Sequence, residues 1–219
     1  VGSEMCIRDR FSAASESTEA GTGYFQRSID GSLVTPQMGT IQVTVSKKTK
    51  VPNQSATLAW GAAYWQYFEN LDKITAATTP LQLQKEYFIS RNTSNGPVLQ
   101  PLEAGASLRV GDRVIVRIVL RSDRYMEYVH MKDLRASCME PADVLSGYKW
   151  QDGLGYYQST GDAATHFFFS QLPKGTYVFE YPVYLTHAGT FSAGITSIQC
   201  MYAPEFTSHS NGLNLKVEE

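Results

Sequence analysis

The segment from Gly175 to Leu185 reads Gly-Thr-Tyr-Val-Phe-Glu-Tyr-Pro-Val-Tyr-Leu, and no other stretch limits the fold as strongly. Tyr177, Phe179, Tyr181, Val183 and Leu185 occupy alternate positions, so an extended strand places all five on one face. The opposite face, Val178, Glu180, Pro182, Tyr184 and Thr186, is mixed. Pro182 has no amide hydrogen, which predicts a strand at a sheet edge or a bulge at that point. After His187-Ala188-Gly189-Thr190 the chain is expected to reverse, with residues 191–198 pairing back. Met201 and Tyr202 then end the second strand, and Pro204 is expected to stop it. Such a segment presents an apolar pair at one edge of a β-sandwich. It suggests a binding surface sooner than an active site.

The remaining strands are short and similarly spaced. A chain of 219 residues holds one large β domain or two small ones. An aromatic share of 12%, mostly Tyr and Phe, favours strands, and a net charge of −2 gives no electrostatic footprint for nucleic acid. No apolar run approaches the roughly 20 residues of a spanning helix, so direct membrane insertion is not expected. "VGSEMCIRDR" carries charges where a signal peptide needs an apolar core. It resembles translated sequencing-adapter read-through, so residues 1–20 are set aside as a non-native or linker segment. Without Cys6, the thiols are Cys138 and Cys200; either a disulfide or two buried thiols is compatible with their spacing.

From Gly21 onward the pattern is β. Residues 23–25 suit a short strand, and Ile41, Val43 and Val45 alternate with polar residues. In the Trp- and Tyr-rich segment 56–68 a helix is possible from Tyr64 to Leu71, but three bulky aromatics within four residues favour a strand. Residues 75–80 are polar, and the boundary between a first unit, 21–76, and a second, 80–219, is placed there. In the second unit Leu81, Leu83 and Tyr87 alternate with Gln82, Gln84 and Glu86. Val114, Val116, Ile118 and Leu120 point inward, while Arg113, Arg117 and Arg121 form a solvated outer face. Residues 128–134 and 165–170 are strands, 139–159 is a long loop, Leu172-Pro173-Lys174-Gly175 is a hairpin turn, and Leu213, Leu215 and Val217 finish the sheet. The fold class is all-β, an antiparallel β-sandwich preceded by a smaller partial β unit.

No common catalytic motif is present, and the expected role is not enzymatic. His130, His166, His187 and His209 never fall at metal-ligand spacing within one element, so no metal, cofactor or catalytic residue is assigned. Asp133/Glu140 and Asp152/Asp162 are expected on loops, solvated. The segment 147–157 offers Tyr148, Trp150, Tyr156 and Tyr157. These rings either meet a sugar or a protein groove, or fold over a sheet edge to cover its backbone; the second is favoured.

Taken together, "MEPADVLSGYKWQDGLGYYQS", "LPKGTYVFEY" and "MYAPEF" closely resemble the C-terminal macroglobulin-like domain of the bacterial alpha-2-macroglobulin family, from about Leu81 onward. "AGTGYFQRSIDGSLVTPQMGTIQVTV" and "LAWGAAYWQYFENLDKI" resemble the second half of its CUB-type domain. The resemblance implies a C-terminal, non-catalytic region of a large periplasmic or cell-envelope protein, in some members lipid-anchored, that traps attacking endopeptidases. Its partners would be the thioester-carrying helical domain and other macroglobulin domains of the parent chain, and target proteases through that parent. The family's Met-Tyr pair matches Met201 and Tyr202, with Pro204 following. These three residues are expected at the interface that shields the thioester from water. "CMEP" at Cys138 departs from the Cys-x-Glu-Gln thioester sequence. The alternative from the residues alone is a carbohydrate-binding module that uses the aromatic segment 148–157.

Overall fold

The computed structural model describes residues 26–40, 61, 63–102 and 106–219. The chain forms two compact units, Val1–Tyr64 and Trp65–Glu219. In the first, the described residues make two short 3-10 turns, Gly31–Leu33 and Pro36–Gly39. The strand expected at 41–46 and the start of the one at 56–68 lie outside the described residues. Where the latter is described, residues 63–68 belong to neither strand nor helix, and Tyr64, Trp65, Tyr67 and Phe68 are exposed. Aromatic preference makes a strand only where a neighbour supplies the ladder.

The second unit is built from strands. One sheet has the order β2 (Gly96–Pro101), β1 (Leu81–Thr93), β4 (Arg113–Ser122), β10 (Gly175–Leu185), β6 (Met139–Pro141). The facing sheet runs β13 (Ala203–His209), β12 (Thr196–Cys200), β5 (Met126–Leu134), β9 (Ala164–Leu172), β8 (Leu154–Thr160), β7 (Gly147–Gln151). A small third sheet, β11 (Gly189–Ser192), β14 (Asn214–Glu218), β3 (Leu108–Arg109), completes the unit. Pairing is antiparallel except between β14 and β3. This is the antiparallel sandwich expected from the sequence.

The sheets pack through their period-two faces. In β10, Phe179, Tyr181, Val183 and Leu185 are buried, and Tyr177 is partly buried, as the alternation predicts. Phe179 inserts between rings of the other sheet, with centroids 5.2 Å from Tyr156, 5.4 Å from Phe167 and 5.6 Å from Phe169. These edge and tilted contacts add to the burial itself, by about 1 kcal/mol per pair. β10 is neither the edge strand nor the bulged one that Pro182 suggested, since it lies between β4 and β6, but the short β6 leaves the proline's amide side largely uncovered. The Pro182 carbonyl accepts from Ala142 N (3.0 Å), so its missing N–H faces the side that β6 covers only at Val183–Leu185. The ladder to β4 is unbroken there.

Connections differ from the expectations more than strands do. Leu172–Gly175 is not a hairpin turn but a corner: β9 and β10 belong to opposite sheets. Residues 191–198 do not pair back on β10. Phe191 pairs with Leu215 in the small sheet, while β12 crosses to lie between β13 and β5. Pro204 does not stop the chain but lies within β13, the outer strand of its sheet, where a missing amide costs nothing. Residues 139–159 contain β6 and a hairpin, β7–β8, whose turn residues Asp152 (φ 50°) and Gly153 (φ 79°) are both left-handed. Asp-Gly is a preferred pair for that turn, a signal present in the sequence.

Candidate functional site

Met201 and Tyr202 form the turn joining β12 to β13, following a register shift at Gln199/Cys200. Both side chains are turned to solvent, Met201 59% and Tyr202 81% exposed. Two contacts hold the turn: Met201 N donates to Tyr128 O (2.9 Å), and the Tyr202 ring meets Tyr128 edge-on at 5.2 Å. Tyr128 has φ 52°, a left-handed conformation that a non-glycine residue adopts at some cost. Pro204 is exposed beside them, and its carbonyl accepts from Thr207 Oγ1 (2.7 Å).

The four aromatics of the second candidate segment separate by strand parity. Tyr156 points into the core and is buried against Phe179, so it cannot serve as a contact residue. Tyr148 and Trp150 point outward, 87% and 76% exposed, and Tyr157 is half-buried beside Tyr148. The favoured expectation of covered rings therefore fails for Tyr148 and Trp150. Trp150 lies over Gly155, where an added Cβ would come within 2.6 Å of its ring. Tyr148 and Tyr157 meet at 71°, so they do not form one flat platform.

Two further groupings bring together residues far apart in the sequence. His130 and His166 meet on adjacent strands, Nε2 to Nδ1 3.0 Å apart, with ring planes within 4° and centroids 5.2 Å apart. That centroid distance is what two imidazoles joined end to end by a hydrogen bond require, so one ring donates and the other accepts. Phe168 stacks on His130 at 4.7 Å. Burial, then the neighbouring His166 and Lys132, push the His130 pKa down. Burial followed by Lys132 and Arg135 does the same to His166. Their positions, 36 residues apart, follow only from the β5–β9 register.

The other grouping lies between the sheets. Lys85 Nζ is 2.6 Å from Asp133 Oδ1 and donates to Leu134 O (2.7 Å), with both side chains almost wholly buried. Thr196 Oγ1 donates to Asp133 Oδ1 (2.7 Å), and the Tyr181 hydroxyl donates to Asp133 Oδ2. Asp133 is thus a core residue and not the solvated loop carboxylate expected. Desolvation draws the Lys85 pKa down against the pull of Asp133, and burial pushes Tyr181 and Tyr87 well up. The signal was legible: Lys85 shares the alternate face of Leu81, Leu83, Tyr87 and Ile89. Among the described residues no three His, Cys, Asp or Glu side chains cluster as a metal would need.

Lys85 and Asp133 thus pair inside the sandwich, while Met201, Tyr202, Tyr148 and Trp150 are held out on its β12–β13 and β7–β8 hairpins. The family is defined by sequence: residues 81–205 match the bacterial alpha-2-macroglobulin MG10 domain, more than half of the chain, and the chain belongs to that family. Solved structures with a similar fold include Salmonella alpha-2-macroglobulin reacted with methylamine (17% identity, TM-score 0.52) and a mutant of the Salmonella protein (16%, 0.53). Escherichia coli alpha-2-macroglobulin activated by porcine elastase is another (16%, 0.54). Each match covers 67% of this chain, which spans 10% of the Salmonella chains and 14% of the Escherichia coli chain. At such identities the likeness is one of fold. No curated protein matches the chain.

Proposed function

We propose that this chain is a non-catalytic part of an envelope-located, protease-trapping macroglobulin, in which Met201 and Tyr202 cover a reactive centre carried on another domain of the parent. The observation that carries this reading is their exposure at a braced turn. A Met and a Tyr are held out from a finished core, with the left-handed Tyr128 of the same unit bracing the Tyr202 ring from beneath and the outward faces of both side chains left to solvent. The family membership supplies the class of partner, and a relative has been solved after reaction with methylamine, the nucleophile that would probe such a centre. An activated acyl group persists where water is excluded, and a Tyr ring with a Met beside it excludes water well. The first unit is read as the second half of a CUB-type domain. A carbohydrate-binding role draws support from exposed Tyr148 and Trp150, but the 71° angle between Tyr148 and Tyr157 disfavours a sugar platform.

The test is Tyr202→Ala in the full-length parent. The expected result is severalfold faster loss of methylamine-reactive centre with an unchanged urea midpoint, since Tyr202 contributes little to the core. Unchanged methylamine reactivity would overturn the shielding role. So would a parent sequence without a Cys-x-Glu-Gln segment.

A further inference from the structure

One cross-strand line on the outer face of the six-stranded sheet links one residue from each of its six strands. Its pairings run Gln199 to His130, His130 to Phe168, Phe168 to Tyr157, and Tyr157 to Tyr148, with Thr207 paired to Gln199 at the other end. The rings touch in sequence: His130 to Phe168 at 4.7 Å, Phe168 to Tyr157 at 6.5 Å, Tyr157 to Tyr148 at 5.1 Å. Trp150 flanks one end of the line through Gly155. Tyr128, two residues along β5 from His130, links the line to Tyr202.

From the register and these ring contacts, we infer that this face is a single protein-docking surface. The β7–β8 hairpin, through Tyr148 and Trp150, is its second point of grip on the domain that Met201 and Tyr202 cover. The inference rests on the function proposed above. The line crosses five strand gaps of about 4.8 Å, hence about 24 Å, close to the breadth of a standard protein interface. Its members carry no carboxylate, lysine or arginine. Depletion of charge with enrichment in Tyr, Trp and Met is the composition of an interface core. The partner is a domain of the parent because the line is continuous with Tyr202. The relatives' chains are also seven to ten times longer than the matched portion, leaving ample chain to supply it. Inclined rings, 46° and 71° between neighbours, suit interdigitation with side chains and not a flat sugar.

Hydroxyl-radical footprinting, read by mass spectrometry on the parent protein and on this chain alone, tests the inference. Tyr148, Trp150, Met201 and Tyr202 are expected to react severalfold more slowly in the parent, together. Protection of Met201 and Tyr202 with Tyr148 and Trp150 unchanged would overturn the inference and leave the proposed function standing. Protection of none would overturn both. Protection of Tyr148 and Trp150 alone would assign the hairpin to a different partner and also overturn it. So would protection in the isolated chain that grows with its concentration, which would mark a second copy.

Discussion

Lys85 is the residue whose position is most costly to explain by its own chemistry. An ammonium removed from water loses several kcal/mol of hydration, and only excellent geometry recovers it. Asp133, Leu134 O, Thr196 and the Tyr181 hydroxyl provide that geometry, and they come from both sheets. Removing one partner strands the other charge. Lys85→Met or Asp133→Asn alone should each destabilise the sandwich by about 3–5 kcal/mol. The double variant should lose much less than the sum, because two apolar or neutral groups no longer need each other. Urea midpoints of the three variants measure this. Additive losses would show that the two side chains act independently.

At the level of elements, the strongly alternating strands were legible, the β6 strand and β7–β8 hairpin within 139–159 were not, and no strand revealed its partner. Alternation locates β10 and its buried face to within a residue, yet it is silent on whether the next strand joins the same sheet. The corner at Leu172–Gly175 and the crossing from β11 to β12 are decided by which edge is free once the sheets meet. The segment before β1 shows the same dependence. Residues 75–80 read as a polar linker, but Ala77 pairs with His209, and Gly212 N donates to Ile74 O at 2.9 Å. A Cβ at Gly212 would collide with the Leu71 carbonyl. Gly212→Ala should therefore lift this segment from the sandwich. Amide exchange at Ala77 and His209 is expected to quicken about tenfold or more while β4 amides keep their protection, the mark of a local opening. Equal acceleration throughout would refute a local role.

Across the whole molecule, the two sheets close over Cys138 and Cys200, both free and buried. Burial also pushes the Cys138 thiol up, further from the reactive thiolate. A Cys6→Ser variant of the chain should migrate identically with and without reductant. Its two core thiols should react with a disulfide reagent only as fast as the unit unfolds, so urea should accelerate both together. Rapid labelling of either in the native state would contradict this packing. Periodicity and aromatic bias were enough to specify an all-β sandwich and the buried faces of its alternating strands, such as β1, β4 and β10, because those depend on neighbours two residues apart. Resemblance of short motifs singled out Met201 and Tyr202, and the structure shows both exposed at the β12–β13 turn. The His130–His166 contact and the line from Tyr148 to Gln199 were decided only when distant strands took their register, and the Lys85–Asp133 pair only when the two sheets packed face to face. A sheet sets side chains 4.8 Å apart across a ladder whatever their separation along the chain, and only the folded register says which they are.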